Sequence, residues 1–271
     1  MTQRGRIIGL AQWLATPAGR YLLAWEQQQL DACVADVFGF HALQVGLPQL
    51  EALRANRMPH RWLAVDESGS REPDVDPGQA TATTAAESLR CDFDALPFAA
   101  SSLDLVVLPH ALELAHDPHR ALAEVDRVLM PEGRVVIVGF NPVSLWGAWQ
   151  GVGRVRRWFS PGSRKPDLFL PEVGEFLGPR RLRDWLRLLS FEVEGGRFGC
   201  YRPPVRSQRW LDRYAWTEDT GQHWWPVFGA AYVLVAVKRV RGMRLVGLAR
   251  GERAAPRAAP AVAANREGSR S

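Results

Sequence analysis

Apolar and polar positions divide this chain into short apolar runs separated by amphipathic stretches. Leu22, Leu30, Cys33, Val34 and Val37 recur at helical spacing and Gly39 follows as a stop, which predicts a helix from about Pro17 to Phe38. HALQVG and RWLAVD read as buried strands ending at Gly46 and Asp66, with LPQLEALRANR between them as a helix. Residues 67–87, rich in Ser, Gly, Pro, Asp, Thr and Ala, read as a surface loop. SLRCDF is a third strand and LDLVVL a fourth, the latter a continuous apolar run of the kind a parallel sheet buries on both faces. Asp117 and Pro118 open a helix as N-cap and first helical residue, with Leu122, Val125 and Leu129 facing inward. A PEG turn then leads into RVVIVGF, the strongest strand pattern in the chain.

Beyond it, residues 142–179 combine Trp, Arg, Gly and Pro and read as an irregular lid insertion. Leu182, Trp185, Leu186 and Leu189 mark a helix and FEVEGG a strand. A second aromatic insertion at 201–228 precedes AYVLVAVKRV, the last strand. Residues 1–241 form one domain in this reading, and 242–271, mostly Ala, Arg, Gly and Pro, are expected to be a disordered basic tail. Strands alternating with helices predict a doubly wound, Rossmann-like α/β fold, because parallel neighbours need helical crossovers. Ligands of such sheets bind at the carboxyl ends of the strands.

Composition changes this picture little, and charge changes it only at the end of the chain. The net charge is +5, but residues 238–271 hold nine basic and two acidic side chains, so the preceding part has a slight acidic excess. A nucleic-acid partner is therefore not expected of the folded part, and the basic tail reads as a solvated extension. No apolar run approaches the roughly 20 residues of a membrane span. Arg4 and Arg6 precede an apolar stretch that faintly resembles an export signal, but Gln12 interrupts it, and a cytoplasmic location is expected. Cys33, Cys91 and Cys200 are too far apart in sequence for a disulfide framework or a zinc motif. His110, His116 and His119 cross a strand end, a turn and a helix start, so no metal is expected.

The stretch LRCDFDALPFAASSLDLVVLPHALELAHDPHRALAEVDRVLMPEGRVVIVGF resembles the middle of a class I S-adenosylmethionine-dependent methyltransferase of the type 11 group. GFNPVSLWG, Gly139 to Gly147, resembles an uncharacterised proteobacterial branch of that family. The resemblance implies a seven-stranded sheet with an antiparallel last strand and S-adenosylmethionine as cofactor. It assigns cofactor binding to Gly46, Asp66, Asp92 and His110. Asp66 would take the ribose and Asp92 the adenine side, while Leu96, Pro97 and Phe98 pack or wall the adenine pocket. Of the family's glycine-rich loop only Gly46 stands here, in QVGLPQ, and Pro48 adds stiffness to the loop.

For the acceptor, His110 is the candidate base and Asn141 a candidate contact, each with a structural alternative: a buried imidazole and an Asx-type turn. The expected function is methyl transfer to a small-molecule or lipid-like acceptor. The alternative is a non-catalytic binding or scaffold protein on the same fold, favoured by the missing glycines, and RNA modification is a weaker third reading. Tryptophans 146, 149, 158, 210, 216, 224 and 225 fall in the two insertions. They are expected to pack as a satellite core or to face an apolar acceptor or a membrane surface, with arginines 154, 156 and 157 beside anionic groups.

Overall fold

A computed structural model describes residues 10, 12–66, 87–159, 168–171 and 176–239. The loop expected at 67–87, except its last residue, and the tail expected from 242 onward lie outside these residues. In chain order the elements are α1 (Pro17–Val34), β1 (His41–Val45), β2 (His60–Asp66), β3 (Glu87–Cys91), β4 (Leu103–Pro109) and α2 (Ala111–Leu114). They continue with α3 (Pro118–Val128), β5 (Leu129–Phe140), α4 (Leu145–Phe159), α5 (Pro179–Leu188), β6 (Phe191–Gly199), α6 (Gln208–Arg213), α7 (Thr217–Trp224) and β7 (Ala231–Lys238).

The strands form one sheet in the order β3-β2-β1-β4-β5-β7-β6. β1 to β5 pair in parallel, and β7 runs antiparallel to both β5 and β6. This is the seven-stranded sheet with an antiparallel last strand that the sequence resemblance implied. Alternation along each strand sends side chains to opposite faces and so builds two cores. Leu22, Leu30 and Val34 of α1 meet Val107, Val136 and Val138 on one face. Leu122, Val125 and Val128 of α3 and Leu182 and Leu186 of α5 meet Val106, Ile137 and Leu234 on the other. Asp117 caps α3 as expected, its side chain accepting from the His119 and Arg120 amides, with Pro118 at the first turn.

Three elements depart from the sequence reading. Residues 47–59 form turns, not a helix. Here side chains take the backbone groups that helical bonds would use: Gln44 and Asn56 bind carbonyls and amides of this segment, and Gln27 of α1 both donates to the Glu51 carbonyl and accepts from its amide. PEG is not a turn between elements but an irregular stretch inside β5, with Glu132 at φ 64°. The first half of the expected irregular lid is a helix of 15 residues, α4.

α4 is anchored by its inner face. Trp146 is fully buried, donates from its indole to the Arg202 carbonyl at 2.7 Å, and meets Trp13 and Phe169 edge-on. Gln150, one turn on, donates to the Leu170 carbonyl and accepts from its amide. The tryptophans therefore divide: Trp146 belongs to the core, while Trp149, Trp210, Trp216, Trp224 and Trp225 are exposed. Trp146→Ala should cost about 3–5 kcal/mol of stability, the usual range for a buried large aromatic. Trp149→Ala should stay within about 0.5 kcal/mol. Urea unfolding of the two variants measures both, and equal losses would contradict this division.

Candidate functional site at the carboxyl ends of the strands

β3, β2, β1 and β4 are neighbours in the sheet, so their carboxyl ends form one continuous edge. Three strand spacings of about 4.8 Å give it a length of about 14 Å. Gly46 follows β1, Asp66 ends β2, Asp92 follows β3 and His110 follows β4. All four candidate cofactor residues thus stand along this edge.

Gly46 sits at φ 78° and Leu47 at φ 40°, so the chain leaves β1 through two left-handed residues. At Gly46 only glycine adopts this backbone without cost. A Cβ there would lie 3.5 Å from Phe93 and 3.7 Å from Ala111, so the segments after β3 and β4 converge on this glycine. The loop is held from below by Gln44, a buried side chain that sequence patterning gave no reason to single out. Its amide donates to the carbonyls of Leu47 and Leu50 at 3.0 and 2.7 Å, and its oxygen accepts from the Ala52 amide at 2.9 Å.

Asp66 pairs in register with Cys91, which places it directly beside the start of the Asp92 turn. Asp92 is exposed and its Oδ1 accepts from the Asp94 amide at 3.0 Å, closing that turn. Phe93 and Leu96 are buried beneath it. Burial, then the charges of Asp92 and Asp117, raise the Asp94 carboxyl above its ordinary value. Leu96 packs as expected, and its amide donates to Glu124 at 2.9 Å.

His110 is placed differently from an open pocket residue. It sits at φ 54° with only 1% of its surface exposed. Its Nε2 lies 2.8 Å from Oε1 of Glu26 in α1, and its Nδ1 lies 2.8 Å from Oε2 of Glu113 in α2. Oε1 of Glu113 accepts from the Phe140 amide at the end of β5, at 2.7 Å. One imidazole between two carboxylates therefore ties α1, α2, β4 and β5 together. Burial opposes a charged ring, but the charges and hydrogen bonds of the two glutamates outweigh it and hold its pKa at about 10. Burial also pushes the Glu113 carboxyl up, against the pull of His110 and the Phe140 amide. With a donor at each Glu113 oxygen, we assign the proton to the ring. Oε2 of Glu26 is buried and has no hydrogen-bond partner among the described residues.

Asn141 is also buried and fully engaged. Its amide donates to the carbonyls of Val227 and Gly229 at 2.8 and 2.9 Å, and its oxygen accepts from the Val143 amide. It forms the Asx-type turn that leaves β5 and fastens that turn to the segment entering β7. Among the described residues no cluster of His, Cys, Asp and Glu is arranged to hold a metal. His116 and His119 are exposed, and His119 stacks near Trp185.

Beyond β5 an apolar cavity of about 510 Å³ opens between the start of α4 and the α7 segment. Val143, Leu145, Tyr201, Trp216, Trp225 and Phe228 line it. Glu218 of α7 fixes its wall, accepting from the Tyr21 hydroxyl of α1 and from the amides of Cys200 and Tyr201. Burial, then the charges of Cys200 and Glu218, push the Tyr21 hydroxyl far above its ordinary pKa, so it remains a donor.

Removing the ring would leave two buried carboxylates without a counter-charge, which costs about 3–5 kcal/mol when one partner of a buried pair is lost. His110→Ala should therefore melt at least about 6 °C lower, at roughly 2–4 °C per kcal/mol for a domain of this size. Because the folded pKa is raised from 6.5 to about 10, the stabilisation from the charged ring is fully present below pH 6.5. It declines as pH rises and is gone above about 10. Thermal unfolding against pH should show this fall in the native chain and not in His110→Ala, and parallel curves would contradict the assignment.

A methyltransferase-domain family model matches residues 54–137. An uncharacterised Escherichia coli (strain K12) protein, YafS, is 32% identical over 182 residues, which is 67% of this chain and 65% of that protein. The chain thus spans slightly less than two thirds of that relative's length. The malonyl-[acyl-carrier protein] O-methyltransferase of Halorhodospira halophila is 42% identical over 73 residues, 25% of each chain. Among solved structures, a chain from the complex of the Haloferax volcanii Trm112 methyltransferase activator with its methyltransferase superposes with a TM-score of 0.58. Identity there is 19%, over 87% of this chain and 98% of that one. A Thermotoga maritima S-adenosylmethionine-dependent methyltransferase gives a TM-score of 0.50 at 14% identity, over 82% and 91%. Sheet order, antiparallel β7 and these matches agree: residues 54–137 match a methyltransferase-domain family, and the sheet as a whole has the fold of the solved S-adenosylmethionine-dependent methyltransferases.

Proposed function

We propose that this chain transfers a methyl group from S-adenosylmethionine to a small-molecule or lipid-like acceptor. The observation that carries the reading is the edge on which Gly46, Asp66 and Asp92 stand at the ends of three neighbouring strands, with Gly46 in the left-handed conformation. These residues fit the adenosine part of the cofactor. Asp66 offers a carboxylate to the ribose hydroxyls, Asp92 an acceptor to the adenine side, and Phe93 and Leu96 an apolar wall.

When bound, the cofactor supplies an electrophilic methyl group on a sulfonium, and the chain's own contribution is alignment. Aligning two reacting groups is itself a large part of the catalysis of a direct displacement. The Glu26–His110–Glu113 group sits beneath the β4 end and fixes the backbone from which the edge is built. Both ring nitrogens of His110 are taken by carboxylates, so we assign His110 a positioning role beneath the cofactor edge. Asn141, likewise engaged, orients the turn from which the apolar cavity opens. That cavity, with three of its lining side chains aromatic indole or phenyl rings, suits an apolar acceptor.

A second reading, a binding or scaffold protein on the same fold, is favoured by the loop after β1: neither of the later glycines follows Gly46, and no helix follows β1. Calorimetric titration with S-adenosylmethionine separates the two. The native chain should bind, and Asp66→Asn and Asp92→Asn should each weaken binding about tenfold, as expected for one lost hydrogen bond to an ionised group. Folded variants that bind as the native chain does would remove these residues from the site. No binding by the native chain would favour the scaffold reading.

A further inference from the structure

The outer face of α4 is apolar and turned to solvent. Leu145, Trp149, Val152 and Phe159 recur at intervals of four, three and seven residues, so they share one stripe of the helix, and all four are exposed, Phe159 at 77%. Helices of soluble proteins turn such a stripe inward. α4 instead turns inward through Trp146 and Gln150 and leaves its apolar stripe in water.

This stripe continues onto a second segment. Val143 and Leu145 at the start of α4 line the same cavity as Trp216, Trp225 and Phe228, so the two segments form one contiguous surface. On the second segment Trp216 is 62% exposed, Trp224 70% and Trp225 58%, with Val227 and Phe228 beside them. Apolar side chains of this size, left together in water, mark a surface that something else covers.

Charge indicates what covers it. From Pro142 to Pro166 the sequence holds Arg154, Arg156, Arg157, Arg164 and Lys165 and no acidic residue. Arg156 falls on the apolar stripe itself at 100° per residue, and Arg154 and Arg156 are exposed. A second copy of the chain is disfavoured, because a two-fold contact sets the same patch against itself and would bring like charges together. The 241–271 segment is no better a match, with seven basic residues against two acidic. Exposed indoles and aliphatic side chains with Arg156 among them instead match the boundary of a bilayer, while Arg154 lies on the other side of α4, over the Phe176 ring. At such a boundary the rings lie among the headgroups and the guanidinium group meets lipid phosphate.

We propose that this face, made of the outer stripe of α4 and the 216–228 segment, docks on the anionic surface of a lipid bilayer. Docking opens the 510 Å³ apolar cavity toward the membrane, so that an acceptor with an acyl or isoprenoid-like body enters without crossing water. The cavity's use rests on the methyl-transfer reading, but the docking does not.

The test uses the full chain, without cofactor, and vesicles of phosphatidylcholine alone or mixed with phosphatidylglycerol. The chain should sediment with the mixed vesicles, blue-shift its tryptophan emission, and come off as salt is raised. Arg156→Gln should lower partitioning about fivefold, from about 1 kcal/mol for an arginine at an anionic surface. Trp149→Ser, a change on the solvent side of α4, should also lower it. The Arg156→Gln variant keeps the basic C-terminal segment, so unchanged partitioning there would show that the segment alone binds and would overturn the proposal. It would also fail if both vesicle types bound equally or not at all, or if the blue shift followed protein concentration without vesicles.

Discussion

The structure depends on one buried ion group. Glu26, His110 and Glu113 come from three separate elements, and their hydrogen bonds reach a fourth through the Phe140 amide. Such a group is costly to desolvate and becomes favourable only when each charge is met at close range. Its 2.8 Å contacts meet that condition, and as a result α1 can sit in only one way across the β4 and β5 ends. α1 in turn carries Gln27 and Asp31, which hold the 47–59 turns, and Tyr21, which holds α7. The β1 to β4 edge and the apolar cavity are therefore both positioned from the same helix.

The same constraint explains how the chain dispenses with a helix after β1. A glycine-rich loop running into a helix satisfies its amides by helical bonds and lets a ligand approach the backbone. Here Gln44, Asn56 and Gln27 satisfy those groups from side chains, and Arg54 pairs with Asp31 across the gap. What remains of the loop's ligand-facing character is the left-handed pair Gly46 and Leu47. The segment has become part of the α1 core, through Leu47, Leu50, Leu53 and Met58.

Strands are legible in the sequence because burial on both faces leaves continuous apolar runs, as in LDLVVL and RVVIVGF, and because a strand end is fixed by where the run stops. That makes the edge residues Asp66 and Asp92 readable as well. The helical pattern of 47–57 misleads because Leu47, Leu50 and Leu53 are apolar at intervals of three yet point into the core from turns. α4 is hidden for the opposite reason: its stripe is regular but faces outward, and Gly147, Gly151 and Gly153 lower its helical propensity. Glu26 lies four residues from both Leu22 and Leu30, on the buried stripe of α1. A carboxylate in that position is the one available sign of the ion group, and its partner, 84 residues away, is visible only in the fold.

The central claim is that the β1 to β4 edge is the binding edge of this domain and that the ion group beneath it keeps it in place. Hydrogen exchange with and without S-adenosylhomocysteine tests it most directly. The account predicts slowed exchange at residues 46–50, 92–95 and 110–114, with the insertion at 201–228 unchanged. Protection confined to other regions, or none while the ligand is bound, would contradict it.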